Sequence, residues 1–158
     1  MALYDIAEWE PIWIEQVAAP GLFLPAAGHD EACLIVPVNE GLAGIFLNGE
    51  WPFYCSPMAE LSGRKGIFVP NVVVKVEFES MVEDNGDGRG MVVRSQGVHG
   101  VRAYRKPQGQ HGQNVVVALN GGNAQYAANA VRLAFPKWEI GKQIDDEWAS
   151  LWSVDVAA

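Results

Sequence analysis

"VVVKVEFES", residues 72–80, carries the clearest secondary-structure pattern in the chain. Its apolar side chains alternate with charged ones, with Val74, Val76 and Phe78 in one set and Lys75, Glu77 and Glu79 in the other. Successive side chains of a β-strand point to opposite faces of the sheet, so this alternation predicts a strand with one face in the core and one in water.

A cluster of turn-forming residues, "EDNGDGRG" at 83–90, follows this strand and precedes the β-branched stretch "MVVRSQGV" at 91–98. Asn, Asp and Gly tolerate left-handed backbone, so the two segments predict a hairpin with a long loop. Similar patterns predict further strands at residues 11–17, 31–38, 44–53, 100–105 and 113–119. Short strands separated by turns favour an antiparallel β-sandwich or jelly-roll-like barrel over alternating β-α-β units.

Two segments predict one or two short helices. Residues 144–152, "IDDEWASLW", place Ile144, Trp148, Leu151 and Trp152 on one helical face, with acidic residues in the first turn. This pattern predicts a C-terminal helical docking segment at residues 142–153. Residues 123–135 have two interpretations: a helix capped by Asn123, or a strand in the second half. Pro136 ends either version.

The composition indicates one acidic domain. Domains commonly run to ~100–150 residues, so residues 1–158 are predicted to form a single β-rich domain. The net charge of −8, with 11 Lys and Arg, argues against nucleic-acid binding, because phosphate binders concentrate cations on one face. No stretch approaches the ~20 apolar residues of a membrane span, and the N-terminus lacks a secretory signal. We therefore expect a soluble protein made in the cytoplasm that binds neither nucleic acid nor membranes.

Cys33 and Cys55 are the two cysteines of the chain. In a cytosolic protein, the simplest expectation is that both are reduced, buried thiols. A disulfide between them is the alternative if the protein reaches an oxidising compartment. Two cysteines cannot by themselves form a four-cysteine zinc site.

"FLNGEWPFYCSP", residues 46–57, gathers four aromatic residues around one Asn-Gly pair. Asn-Gly is preferred in two-residue type I′ hairpin turns, and such a turn would place Phe46 opposite Trp51 as a cross-strand pair. The rings of Phe46, Trp51, Phe53 and Tyr54 have three interpretations. They cap the core, anchor the chain to a protein partner, or form a stacking platform for sugar.

Residues 106–114, "KPQGQHGQN", resemble the second conserved motif of the cupin barrels, in which Pro-x-Gly precedes a metal-binding His and an Asn. The matching residues, at shortened spacing, are Pro107, Gly109, His111 and Asn114. Cupins also need an earlier His-x-His followed by a Glu, and neither His29 nor His99 belongs to such a motif. The resemblance implies a divergent cupin-like metalloenzyme that uses His111.

The loop at residues 83–90 also resembles part of a calcium-binding loop, with Asp84 and Asp87 as candidate ligands. The twelfth position of that pattern falls on Arg94, where calcium requires a bidentate Glu. No serine lies in a G-x-S-x-G elbow, and no glycine-rich stretch has Walker spacing. The sequence therefore assigns no catalytic residue, no cofactor and no metal ligand.

These observations favour a non-enzymatic structural or assembly protein. Its predicted partner-binding residues are Phe46, Trp51, Phe53, Tyr54, Trp148 and Trp152. The predicted partners are neighbouring protein subunits, in a homo-oligomer or on the lattice of a larger assembly, such as the capsid that a phage decoration protein binds. The alternative is a carbohydrate or small-ligand binding module that uses Trp51, Tyr54 and Trp9.

Overall fold

The structure is a computed structural model, and it describes residues 9–26, 30–39, 41–106, 111–121, 124–127 and 129–156. In these ranges a long sheet contains β1 (Pro11–Trp13), β2 (Gly21–Pro25), β3 (Cys33–Val38), β4 (Gly41–Phe46), β5 (Tyr54–Pro57), β6 (Lys65–Pro70), β8 (Val82–Glu83), β9 (Val92–Ser95), β10 (Val98–Arg105), β11 (Gln113–Ala118) and β12 (Leu133–Phe135). A short sheet contains β7 (Val73–Val76), β13 (Lys137–Ile144) and β14 (Glu147–Asp155). Single 3₁₀ turns occur at Ile14–Gln16, Met58–Leu61 and Phe78–Ser80.

The strand order confirms the predicted mainly β, antiparallel class. The long sheet runs β1-β6-β2-β3-β4-β5-β10-β9-β12-β8, with β11 added beside β10, and the short sheet runs β14-β13-β7. Within the described ranges, every strand pair is antiparallel except β5 with β10. The long sheet does not close on itself, so the architecture is a sandwich and not a barrel. No helix in the described part of the chain is long and apolar enough to cross a membrane.

The core fills the space between the two sheets. Trp138, Ile140 and Val154 of the short sheet belong to one buried cluster with Ile45 and Val101 of the long sheet. A second cluster covers the other face of the long sheet, where two of the 3₁₀ turns contribute the buried side chains of Ile14 and Leu61. The cluster also contains Val17, Phe23, Cys33 and Ile35. Strand β3 is therefore buried on both faces, which explains why its sequence is continuously apolar instead of alternating.

The strand predicted in "VVVKVEFES" is confirmed, but the predicted hairpin between this strand and the stretch "MVVRSQGV" is wrong. Strand β7 pairs with β13 in the short sheet, whereas β9 pairs with β10 and β12 in the long sheet. Val74 and Val76 pack on the core as predicted. Phe78 does not, because the chain turns at Phe78–Ser80 and leaves its ring 75% exposed. Alternation indicates a strand and its faces, but it carries no information about a partner elsewhere in the chain.

The predicted helical segment at 142–153 is wrong and is a β-hairpin. Asp145 and Asp146 have φ angles of 53° and 64°, which a two-residue type I′ turn requires, and this turn joins β13 to β14. A register shift in the pairing of these strands puts an extra residue in β14. The extra residue interrupts the two-residue alternation of the strand. The apolar side chains of this segment therefore have a spacing that resembles one face of a helix.

The alternative strand interpretation of residues 123–135 is confirmed in its last part, because β12 occupies Leu133–Phe135. The described residues that precede it in this segment, 124–127 and 129–132, contain no helix. Asn123, the predicted helix cap, lies outside the described residues.

The two cysteines lie on opposite faces of the long sheet and are not joined by a disulfide. Cys33 pairs in register with Phe46, whereas Cys55 pairs with the preceding residue, Ile45. Adjacent strand residues point to opposite faces, so one thiol enters the outer cluster and the other enters the core between the sheets. A disulfide between them would require the sheet itself to open.

We expect neither thiol to react with a soluble thiol reagent in the folded protein. Burial raises the pKa of the Cys33 thiol to about 12, which leaves almost no reactive thiolate near neutral pH. Cys55 is buried as well. The labelling rate of native protein, compared with that of urea-unfolded protein, measures this protection. Rapid labelling of a thermally intact sample would contradict the buried placement.

Candidate functional site: an aromatic cleft

The connection between β4 and β5 differs from the predicted type I′ turn. Ile45 pairs with Cys55, so Phe46 lies beside Tyr54 and not beside Trp51. Residues 47–53 form a longer loop, in which the Asn48 side chain accepts a hydrogen bond from the backbone N–H of Ala32 at 3.0 Å. Asn48 therefore binds the backbone just before β3, a contact that local turn preference does not predict.

Phe53 belongs to the core and not to the surface. Its φ angle is 62°, a left-handed conformation that turns the chain back into β5. Its side chain is only 6% exposed and packs against Gly90, where an added Cβ would lie 2.4 Å from the ring. Phe53 is therefore removed from the set of residues that could touch a partner, and Gly90 has to remain a glycine for this packing.

Three half-buried rings form a row across three neighbouring strands on the outer face of the long sheet. Phe46 comes from β4, Tyr54 from β5 and Tyr104 from β10. The ring centroids of Phe46 and Tyr54 are 5.9 Å apart, and those of Tyr54 and Tyr104 are 5.8 Å apart. The successive planes are tilted by only 36° and 30°, so the rings present a nearly continuous surface. We call these residues the aromatic row.

The aromatic row is the floor of a cleft of about 510 Å³. The other lining residues are Trp51 and Pro52 of the β4–β5 loop and Arg89 of the loop before β9. Trp51 is 67% exposed. This exposure is unusual, because tryptophan has a large apolar surface and is highly buried on average. We call this site, with its six lining residues, the aromatic cleft.

The sequence identified part of this site. Phe46, Trp51 and Tyr54, three of the predicted partner-binding residues, line the cleft. Tyr104 was missed, because it joins the site through the parallel pairing of β5 with β10, which links segments far apart in the chain. Arg89 was missed, because the hydrogen bond from the N–H of Gly90 to the carbonyl oxygen of Arg102 brings its loop beside β10. The alternation in "VRAYR" could have placed Tyr104 on a strand face, but not beside Tyr54.

Each end of the aromatic row carries a guanidinium group. The guanidinium carbon of Arg64 lies 5.4 Å from the Phe46 centroid, and that of Arg89 lies 5.1 Å from the Tyr104 centroid. Both distances are in the range of cation–π attraction. Asn114 of β11 positions the second arginine, because Arg89 Nε donates a hydrogen bond to Asn114 Oδ1 at 3.0 Å.

The hydroxyl of Tyr54 stays protonated at neutral pH. Burial raises the pKa of this phenol above its usual range, and the nearby Glu60 carboxylate raises the pKa further. Tyr54 can therefore donate a hydrogen bond from its hydroxyl while its ring remains available for stacking. The cleft thus offers aromatic faces, the neutral phenol of Tyr54 and the guanidinium group of Arg89, and Tyr, Trp and Arg are the residue types enriched where protein interfaces bind most strongly.

Trp148 and Trp152 lie away from the aromatic cleft. Trp152 packs against the core between the sheets. Trp148 lies on the outer face of the short sheet, where its Nε1 donates to Glu139 Oε1 at 2.5 Å and the ammonium of Lys75 lies 3.8 Å from its ring. Trp9 also packs against the core. The structure therefore does not unite the hairpin and C-terminal tryptophans in one surface.

The histidines of the cupin-like interpretation do not meet. His99 precedes Gly100 at one end of the β10–β11 ladder, and His111 precedes Gln113 at the other end. The paired part of β10 between these ends, Gly100–Arg105, spans about 17 Å. His99 and His111 therefore cannot bind one metal ion. His29, Pro107 and Gly109 lie outside the described residues.

Asp84, considered above as a calcium ligand, is held by arginines. Arg102 Nη1 and Nη2 donate to its two carboxylate oxygens at 2.6 and 2.8 Å, and Arg132 lies 3.6 Å away. The hydrogen bonds from Arg102 lower the pKa of this carboxyl, and the N–H of Gly86 lowers the pKa further. In the described part of the chain, no three His, Cys, Asp or Glu side chains are grouped to hold a metal ion.

Comparison with known proteins gives a family. A profile of the family described as "Uncharacterised protein y4lG" matches residues 12–158. The "Uncharacterized protein y4lG" of Sinorhizobium fredii (strain NBRC 101917 / NGR234) is 29% identical over 127 residues, which cover 78% of this chain and 76% of the relative. No solved structure matches this chain significantly. Because the profile match extends over nearly the whole chain, this protein belongs to the y4lG family.

Proposed function

We propose that this protein is a non-enzymatic binding protein that docks onto a neighbouring protein subunit through the aromatic cleft. The observation that supports this most is the 67% exposure of Trp51 beside three further aromatic side chains. Trp, Tyr and Arg are the residues that most often dominate the binding energy of protein interfaces. In the aromatic cleft these residue types lie together.

The fixed rings and the exposed tryptophan of the aromatic cleft support a role in protein docking. The rings of the aromatic row are already held by each other and by the sheet, so these rings would lose little side-chain entropy when a partner binds. A docked partner would remove Trp51 from water, and burial of an aromatic side chain contributes about 25 cal/mol per Å² of apolar surface. The neutral hydroxyl of Tyr54 provides direction to the contact.

In an assembly, two outer faces are available for contacts. The aromatic cleft lies on the outer face of the long sheet, and Trp148 lies on the outer face of the short sheet. Contacts through two different faces join subunits in rings or open lattices, whereas one self-complementary face gives a dimer. A homo-oligomer, or attachment to the lattice of a particle such as a phage capsid, would use the protein in this way.

We expect Trp51→Ala to abolish self-association of the purified protein without unfolding it. The mutation removes the most exposed ring of the cleft and touches no buried contact, so the thermal midpoint should change little. Light scattering after size exclusion measures the mass, and circular dichroism measures the fold. Trp13→Ala is the matched control, because Trp13 is also exposed but lies in β1 at the edge of the sheet, outside the cleft.

A wild-type oligomer that persists in Trp51→Ala would contradict the proposal that the cleft forms the interface. Equal loss of mass in Trp13→Ala would indicate a general effect of surface tryptophan. A wild-type monomer at every concentration would exclude self-docking and would direct the search to a different protein partner or to the second candidate function.

The second candidate is carbohydrate binding. The small tilts between the rings of the aromatic row favour it, because a flat aromatic floor can stack against sugar rings while Arg89 and Asn114 bind hydroxyls at the edge. Tryptophan fluorescence should then shift with individual glycans of a panel in the wild type and not in Trp51→Ala. A panel without any response would argue against this candidate.

A further inference from the structure

We propose that the partner segment that fills the aromatic cleft is acidic, and that one of its carboxylates pairs with Arg89 while a neighbouring apolar side chain packs on the aromatic row. This inference rests on the proposed function and adds the chemistry of the partner. Three observations support it: the cleft is cationic, the guanidinium of Arg89 is held in place, and the two ends of the aromatic row differ in charge.

In the part of the chain that the structure describes, six residues line the aromatic cleft, and Arg89 is the only charged one among them. The protein as a whole has a net charge of −8, so a cationic cleft stands out against an anionic background. An acidic partner would be repelled by most of the surface and attracted to this site. Complementary charge of this kind steers binding and suppresses wrong partners.

The two arginines at the ends of the aromatic row differ in their partners. Arg64 is neutralised, because it forms an ion pair with Glu31 and lies 3.9 Å from Asp30. Arg89 has no carboxylate partner in the described part of the chain, and only its Nε is hydrogen-bonded, to Asn114. Its two Nη groups therefore remain available to a bidentate carboxylate, the geometry that suits a guanidinium fork best.

The position of Arg89 is fixed by its neighbour in the chain. The N–H of Gly90 donates to the carbonyl oxygen of Arg102 at 2.8 Å, and its own carbonyl accepts from Trp138 Nε1 at 2.7 Å. Stacking on Tyr104 and the hydrogen bond to Asn114 hold the side chain. A carboxylate would therefore meet a guanidinium that is already oriented, which reduces the entropy lost on binding.

The electrostatics of the aromatic row also orient the partner. Glu60 acts on Tyr54 in the middle of the row and disfavours a second negative charge there. Arg89 favours such a charge at the Tyr104 end. The acidic residue of the partner should therefore lie at Tyr104, and its apolar or aromatic neighbour should lie over Phe46 and against Trp51.

A random peptide library displayed on phage, selected on the immobilised full-length protein, tests this inference. We expect the selected peptides to carry Asp or Glu next to an aromatic or apolar residue. Replacing that acid by its amide in a synthetic copy of the strongest binder should weaken binding at least about tenfold, which corresponds to about 1.4 kcal/mol, because the charge-assisted hydrogen bonds to Arg89 are lost. Fluorescence anisotropy of the labelled peptide measures both affinities.

Three variants separate the possible results. Arg89→Gln should remove the preference for the acid over the amide, whereas Arg94→Gln, an exposed arginine of β9 outside the cleft, should keep it. Trp51→Ala should abolish binding of both peptides. If binding depends on Trp51 but the selected peptides are neutral, or the preference survives in Arg89→Gln, the acidic partner is excluded and the docking function stands. If no selected peptide depends on Trp51, the cleft does not bind protein segments and both proposals fall.

Discussion

Replacing Arg102 with methionine is expected to lower the free energy of unfolding by about 3–5 kcal/mol. The side chains of Arg102 and Asp84 are 5% and 1% exposed, and two hydrogen bonds join them. Methionine fills similar space but leaves the carboxylate buried without its main partner. Arg132 is the weaker partner, because its Nε lies 3.6 Å from the carboxylate and its side chain is 39% exposed. Urea unfolding followed by circular dichroism measures the loss.

The free energy of unfolding of Arg102→Met should depend on pH less strongly in the acid range than that of the wild type. Because the folded protein holds the pKa of Asp84 below the ordinary value of 3.8, the ionised carboxylate stabilises the fold above that pH. The contribution is lost as the pH falls through the lowered pKa, since the carboxylate then takes up a proton. The stability difference between the wild type and Arg102→Met should therefore be largest near neutral pH and should shrink in acid.

Arg94→Met is the matched control, because Arg94 is exposed on the adjacent strand β9, and its loss should change stability little. The double variant Asp84→Leu with Arg102→Met should recover part of the lost stability, since apolar pairs often replace buried ion pairs at small cost. A loss below about 1 kcal/mol in Arg102→Met, the ordinary range for a surface ion pair, would contradict a buried role for the pair.

Trp138→Ala is expected to cost about 3–5 kcal/mol, the range for removing a large buried aromatic side chain. Trp138 is part of the cluster between the two sheets, and its Nε1 donates to the carbonyl oxygen of Gly90. It therefore joins the short sheet to the loop that carries Arg89. Denaturant unfolding monitored by circular dichroism measures the effect without relying on tryptophan fluorescence.

Trp138→Phe separates the two contributions of this side chain. Phenylalanine keeps most of the packing but leaves the Gly90 carbonyl without its donor, which should cost about 1–3 kcal/mol. Trp13→Ala, at an exposed edge position, should be nearly neutral. Equal effects of Trp138→Phe and Trp138→Ala would mean that the hydrogen bond, and not the packing, dominates. Near-neutral behaviour of Trp138→Ala would contradict the sandwich core.

The side chains of Arg102 and Trp138 connect the stability of the fold with the proposed binding function. Asp84 and Gly90 lie at the two ends of the loop that contains Arg89, and each is held from the core by a side chain, Arg102 or Trp138. A milder variant such as Trp138→Phe should therefore weaken binding of an acidic peptide more than its stability loss implies, because the guanidinium loses its fixed position.

The local strand patterns were predictable because they depend on neighbouring residues. The alternation of Val74, Lys75 and Val76 sets two faces whatever the strand pairs with. The strands predicted at residues 100–105 and 113–119 were recognisable for the same reason, and they correspond to β10 and β11. The helical interpretation of residues 144–152 failed because a register shift changes the spacing of a strand, and such shifts arise from strand pairing.

The sequence by itself determined a mainly β protein with strongly acidic charge and an aromatic segment at residues 46–57, because composition and short periodicities are properties of neighbouring residues. Only the tertiary structure decided which aromatic residues are buried and which are exposed. It placed Phe53 in the core, left Trp51 in solvent, and brought Tyr104 beside Tyr54. Those positions follow from contacts between distant segments, which packing of the whole chain selects and local pattern does not encode.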